Sequence, residues 1–191
     1  SLCVLSAYAL AATEKPLRVG VLYWSATIPG QVAMRLGLED EARRLNNLAR
    51  TTGGPQIELV SAVAGDGPSG IENQIAQMQA MVATKPSVII VQPTDNAALA
   101  APLRAANAAG IPVVAYDQYI SGGKLAAYVT TDNRQAGYLG GEYIAARLPG
   151  TKPLRLLLVE YPTVSSTVER LNGFLDALRD NGRPFKILKT Y

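Results

Sequence analysis

The sequence predicts an α/β fold: a parallel sheet with helices on both faces. Three observations carry this. Short apolar runs alternate with longer segments whose apolar residues recur every three or four positions. Glycine and proline punctuate the joints. Two neighbouring apolar runs, Val88–Val91 and Ile111–Ala115, each end in polar residues, as parallel strands finishing on one sheet edge would.

The elements follow in order. Leu17–Tyr23 is a first strand. After Pro29-Gly30, a helix carries Met34, Leu38, Ala42, Leu45 and Leu48 on one stripe, and Thr52-Gly53-Gly54-Pro55 breaks it. Ile57–Val63 is a second strand. Ser69 and Glu72 have the spacing of a capping box, in which hydroxyl and carboxylate satisfy free amides reciprocally. The helix it opens buries Ile71, Ile75, Met78 and Val82. Val88–Val91 is the third strand; its helix presents Leu99, Leu103 and Ala106, with Pro102 dividing a first turn from the body. Ile111–Ala115 and Ala126–Thr130 are the next two strands. A helix from Asn133 to Leu148 contains Gly137, Gly140 and Gly141, which predict close approach to a neighbour. Leu154–Val159 is a sixth strand. Ser166 and Glu169 form a second capping box, with Val168, Leu171, Leu175 and Leu178 turned inward. Asn181-Gly182 and Pro184 end that helix, and Phe185–Leu188 begins a seventh strand.

Composition excludes several functions. The 191 residues suit one domain or one and a half, 48% hydrophobic and 17% charged. Net charge is +3 with scattered basic residues, which argues against a nucleic-acid face. There is no histidine, so no Ser-His-Asp or Cys-His nucleophile and no His-based zinc site. The one cysteine, Cys3, lies in a terminal apolar segment without a lipobox before it. That segment, Leu2 to Ala12, reads as a secretory h-region, with Ala9-Leu10-Ala11 as a small-residue cleavage motif. Residues 1–12 are therefore expected to be a signal-peptide remnant and the protein to be exported. No cofactor and no metal are expected.

A sheet ordered 2-1-3-4-5 has its switch point between the first and third strands, and ligands bind past the strand ends there. The loops at that crevice are Trp24–Pro29 and Gln92–Asp95, with Asp117-Gln118 beside them. Asp117 can accept two hydroxyl hydrogen bonds, which suits a polyhydroxylated ligand. Trp24 and Ser25 stand in the first loop, the indole able to lie on an apolar ligand face. Asp95 sits where a helix N-cap belongs. Asp132 reads both as an N-cap and as part of a hinge, and Tyr161 as rim or contact. Gly65-Asp66-Gly67-Pro68-Ser69-Gly70 spells a dinucleotide loop. It follows the second strand, however; Pro68 removes an amide, and the next strand ends in Val91-Gln92 where an acid should stand.

These residues resemble the ribose-type periplasmic solute-binding proteins, whose type 1 fold is shared with the effector core of the lactose-repressor family. The likeness runs from Leu17 to Tyr191. It rests on Pro29 with Gly37, Gln92-Pro93-Thr94-Asp95, Gly110-Ile111-Pro112-Val113-Val114, Asp117, Thr131-Asp132-Asn133 and Arg170-Leu171-Asn172-Gly173-Phe174, in that order. The resemblance implies two lobes closing on one ligand, with residues 16–131 as a nearly complete N-terminal lobe and 132–191 as a partial C-terminal one. Two such lobes need about 270 residues or more, so a C-terminally truncated chain is expected. The resemblance also implies that Asp117, Gln118, Gln31 and Trp24 occupy ligand-facing positions. Ribose binders carry Arg where this chain has Gln118 and Val168, and phenylalanines where it has Gly30 and Gln31. Without that guanidinium pair a ligand other than ribose is expected.

The expected function is therefore an exported, monomeric binding protein, not an enzyme, for a small neutral polar solute such as a sugar or polyol. Its partner would be an ABC-type permease or, alternatively, a membrane sensor. A repressor effector domain is the further alternative, for which Leu2–Ala12 has the wrong composition.

Overall fold

The computed structural model describes residues 15–191; the expected signal segment at residues 1–12 lies outside them. The elements are β1 (Leu17–Tyr23), α1 (Pro29–Thr52), β2 (Ile57–Val63), α2 (Pro68–Ala83), β3 (Val88–Val91), α3 (Ala100–Ala108), β4 (Val113–Tyr116), β5 (Ala127–Val129), α4 (Asn133–Arg147), β6 (Leu154–Leu158), α5 (Ser165–Asp180) and β7 (Phe185–Thr190). β1 to β5 form one parallel sheet in the order β2-β1-β3-β4-β5, and β6 pairs with β7 in a second. The predicted order holds, and β1 is the strand flanked on both sides by later ones.

Side-chain alternation assigns the two faces of the larger sheet. Leu22, Ile89, Val91, Val113 and Ala115 point to one face and meet Met78, Met81, Leu99, Leu103 and Ala106 of α2 and α3. Val19, Val21 and Tyr23 point to the other, with Leu38 of α1, Ile57, Leu59, Val88 and Ile90. α1 covers only the β2-β1-β3 half of that face. Over β4 and β5 it leaves a groove of about 650 Å³, lined by Met34, Leu38, Ile90, Val114, Tyr116 and Val129 among others. Met34 and Leu48 of the predicted α1 stripe are accordingly exposed, and Ala42 is buried.

Helix ends follow local chemistry. Pro29 opens α1, where its missing amide costs nothing. Gly53 closes it at φ 75°, donating to the Ala49 carbonyl at 2.8 Å. Both expected capping boxes are absent. α2 begins at Pro68 with Gly67 as N-cap, so Ser69 already lies inside the helix. α5 begins at Ser165 with Val164 as N-cap, and neither helix has a side-chain cap of its own. The N-cap of each helix thus stands two residues before the serine expected to fill that role; in α2, Pro68 at the first helical position presets the start.

Two of the three glycines of α4, Gly137 and Gly141, mark a close approach, while a Cβ on Gly140 would make only ordinary contact with the Phe174 ring. α4 and α5 cross almost backbone to backbone. A Cβ on Gly137 would overlap the Arg170 carbonyl, one on Gly173 the Arg134 carbonyl, and one on Gly141 would sit 2.5 Å from the Phe174 oxygen. Arg170 Nε also donates to Asn133 Oδ1 at 2.8 Å, while Asn133 Nδ2 donates to Thr130 Oγ1 and the Thr131 carbonyl. The Thr131-Asp132-Asn133 and Arg170-to-Phe174 motifs thus fasten the chain where it leaves the larger sheet.

Candidate functional site

β3 and β4 deliver Gln92 and Asp117 side by side at one sheet edge. Gln92 is 1% exposed and donates from Nε2 to Asp117 Oδ2 at 3.0 Å. Gln92 is itself fixed from α2: Gln74, fully buried, donates to the Gln92 carbonyl at 2.8 Å. Gln74 Oε1 accepts from the Thr94 amide and hydroxyl at 2.7 and 2.9 Å. Asp117 adopts φ 62°, a left-handed conformation that aspartate tolerates better than most residues. Its amide donates to the Val129 carbonyl at 2.9 Å, and its carbonyl accepts from the Thr130 hydroxyl at 3.1 Å. The turn therefore holds the carboxylate by both strands, with Oδ1 uncommitted among the described residues. Backbone strain of this kind at a strand end is characteristic of ligand sites.

The other sequence-predicted residues fall as follows. Trp24 is half-buried at the end of β1, its carbonyl accepting from the Gly65 amide at 2.9 Å. Ser25 is buried and turned into its own loop: Oγ accepts from the Thr27 and Ile28 amides at 3.1 and 3.2 Å. Thr27 Oγ1 donates to Asp66 at 3.0 Å, tying this loop to the one after β2. Gln31 is buried in the first turn of α1, with Oε1 unpaired. Asp95 caps the turn before α3, its Oδ1 accepting from the Ala97 and Ala98 amides at 2.8 and 2.7 Å. Asp132 caps α4 through the Gln135 amide at 2.8 Å. Tyr161 is 44% exposed.

Gln118 has a distinct environment. It is 4% exposed and faces the start of α5. Its Oε1 accepts from the Ser166 amide at 3.1 Å and the Ser165 hydroxyl at 3.2 Å, and its Nε2 donates to Ser166 Oγ at 2.8 Å. Tyr119 N donates to Ser165 Oγ at 2.9 Å, and Asn96 N to the Thr163 carbonyl at 2.9 Å. Ser166, expected to cap its own helix, is used here instead.

Tyr23 and Tyr116 lie on the α1 face below the strand ends. Tyr23 is packed under Arg35, 5.5 Å from its ring centroid, with its hydroxyl 3.5 Å from Glu39. Burial, reinforced by the Glu39 charge, pushes the Tyr23 phenol up to about 12. Burial also raises Tyr116, followed by the nearby Tyr23 and Asp117. Among buried side-chain atoms, Gln31 Oε1, Gln77 Oε1, Gln92 Oε1, Tyr116 Oη and Thr163 Oγ1 have no partner among the described residues. Unpaired buried polar atoms are uncommon, and three of these five flank Asp117 or stand at the entry to α1.

Sequence reasoning reached Asp117, yet missed Gln92 and Gln74 as the residues that hold it. Gln74 had a signal: it lies between Ile71 and Met78 on the inward side of α2. Among the described residues no cluster of His, Cys, Asp or Glu is disposed to hold a metal, and no helix is long and apolar enough to cross a membrane.

Residues 19–191 match the family model described as a periplasmic binding protein domain. The ribose import binding protein RbsB of Bacillus subtilis (strain 168) is 27% identical over 162 residues, covering 84% of this chain and 48% of that protein. The multiple sugar-binding periplasmic protein SbpA of Azospirillum brasilense is 39% identical over 79 residues, 41% of this chain and 22% of that one. Among solved structures, the Caulobacter myo-inositol binding protein bound to myo-inositol superposes with a TM-score of 0.72 at 31% identity, covering 91% of this chain and 54% of that one. A periplasmic solute-binding protein of an ABC transporter from Actinobacillus succinogenes 130z, with bound D-allose, gives 0.69 at 26%, covering 92% and 58%. The chain spans about half the length of the relatives it matches.

Proposed function

The chain belongs to the periplasmic binding protein family, with the type 1 fold and no enzymatic activity among its relatives, and on that premise we propose that the whole protein binds a small neutral polyhydroxylated solute, a sugar or cyclic polyol. Residues 16–131 are the N-terminal lobe, and the C-terminal lobe begins at Asp132. The ligand lies past the C-terminal ends of β1, β3 and β4, between the lobes.

One observation carries the reading. The Asp117 carboxylate is fixed through Oδ2 by Gln92 and leaves Oδ1 uncommitted at the strand-end edge. A carboxylate so placed accepts from ligand hydroxyls, and a charge-assisted bond contributes more than a neutral one. Trp24, Gln31 and Tyr161 complete the wall: an aromatic face, an unpaired buried amide oxygen and an exposed phenol. Ser25, Asp95 and Asp132 serve it indirectly, shaping the loops through backbone caps. The myo-inositol and D-allose bound by similar proteins are uncharged and polyhydroxylated, in keeping with a carboxylate placed to accept from ligand hydroxyls.

No bond is made or broken. Ligand touching both lobes favours the closed form, which then engages an ABC-type permease or a membrane sensor. The protein is exported and monomeric in this reading. Thermal shift of the full-length protein tests it. Neutral sugars and polyols, myo-inositol and D-allose included, are expected to stabilise the fold, by about 2.7 kcal/mol at one hundred times Kd. Stabilisation by amino acids or phosphate esters alone would overturn it.

A further inference from the structure

Gln118 stands beside the Asp117 site, yet its side-chain amide is spent elsewhere. α5 begins without a side-chain cap, because its N-cap residue is Val164, which is buried. The first amides of a helix have no partner within the helix and must find one outside it. Here the partner comes from the far side of the cleft. Gln118 Oε1 accepts from the Ser166 amide, as an N-cap oxygen does. The same group accepts from the Ser165 hydroxyl and donates to Ser166 Oγ. The Tyr119 amide adds a bond to Ser165 Oγ, and the Asn96 amide one to the Thr163 carbonyl. Gln118 and Ser166 are each 4% exposed, so the cluster is shielded from water.

We infer that Gln118 is a positioning residue: it caps α5 in trans and clasps the two lobes together whether or not a ligand is bound. The inference rests on the reading of residues 16–131 and 132 onward as two lobes that close on a ligand. Opening must break these bonds and leave the α5 amino end uncapped. The clasp therefore raises the share of closed protein before ligand arrives. Apparent affinity is the intrinsic affinity scaled by the binding-competent fraction, so Gln118 strengthens binding with no ligand contact of its own. It also explains the residue type. Arginine has five donors and no acceptor; it cannot take the Ser166 amide, whereas a glutamine amide both accepts and donates.

The test is single-molecule energy transfer on the full-length protein. Labels go at Gln79→Cys on α2 and Ala146→Cys on α4, both exposed, in a background freed of other cysteines. Gln118→Met keeps the side-chain length and removes the bonds. Without ligand it is expected to raise the ratio of open to closed molecules about tenfold, with an unchanged melting profile. Ser165→Ala with Ser166→Ala removes the hydroxyl bonds from the opposite lobe while the Ser166 amide still meets Gln118 Oε1, and is expected to open the protein by a smaller amount. Adding Gln118→Met to that pair removes the remaining cap on the Ser166 amide and should open it further, to the level of Gln118→Met alone; the serine pair carries the test if Gln118→Met folds poorly. An unchanged ligand-free distribution in both variants would overturn the inference. Titration with myo-inositol separates it from the proposed function. If myo-inositol and the wider polyol panel fail to bind wild type while the ligand-free shift appears, the ligand reading fails and the clasp stands.

Discussion

Replacing Gly173 with alanine should destabilise the protein, although alanine is the better helix former. Gly173 lies in α5, and a Cβ there would overlap the Arg134 carbonyl oxygen of α4, with the Arg134 carbon and the Tyr138 nitrogen each at 2.9 Å. Ordinary van der Waals contact begins near 3.4 Å. These are backbone atoms and cannot swing aside, so the helices must separate along their length. Overpacking of this kind costs about 1–3 kcal/mol, and more where the neighbour is rigid. The helix propensity gained from Gly→Ala is about 1 kcal/mol and offsets only part. Separation also disturbs the Arg170–Asn133 bond and the Arg134–Asp176 ion pair, which span the same contact. A net loss of up to about 2 kcal/mol follows from overpacking less propensity, and more if the helices cannot separate. Gly37 supplies the control. It lies within α1 with nothing within 4 Å of its would-be Cβ, so Gly37→Ala should stabilise by about 0.5–1 kcal/mol. Urea unfolding followed by circular dichroism measures both. If the two variants shift the midpoint in the same direction, the backbone-contact argument is wrong.

Gln74→Leu should cost about 2–5 kcal/mol, because it leaves the buried Thr94 amide and Gln92 carbonyl without partners; a loss under 1 kcal/mol in the same unfolding assay would mean the network relaxes freely. The raised Tyr23 phenol makes stability fall in alkali. An unfolded tyrosine ionises near 10, so between about pH 10 and 12 the unfolded chain releases a proton that the folded chain keeps. Tyr23→Phe should lose less stability across that window than wild type; an identical loss would place the titrating group elsewhere.

Much of the fold was legible, and for definite reasons. Apolar runs and glycine-proline punctuation report strands and joints directly, and the alternation of strand with helix implies parallel pairing through right-handed crossovers; the 2-1-3-4-5 order is an assumption that the structure matches. Gly137 and Gly141 signalled a close helix contact because few other reasons place glycines inside a helix. The serines misled. Ser69 and Ser166 have capping-box spacing, but Pro68 preorganises the start of α2, and the cap of α5 arrives from Gln118, forty-eight residues earlier. No local pattern reports a bond at that separation. The same limit applies within the site. Asp117 announces itself by following a strand, whereas the grip of Gln92 on it depends on β3 and β4 pairing in register, Val91 opposite Ala115. Gln118 was legible as a position and not as an orientation.

The central claim is that Asp117 anchors a neutral polyol, and calorimetry of full-length Asp117→Asn tests it most directly. Asparagine keeps the shape, tolerates the left-handed backbone and still accepts from Gln92, while the charge and the free carboxylate oxygen are lost. With the tightest-binding polyol of the panel, a loss of about 1.5–3 kcal/mol is expected, or roughly ten- to hundredfold in Kd, with the unfolding midpoint little changed. Wild-type affinity in a folded Asp117→Asn protein would contradict the account and move the anchor to another part of the cleft.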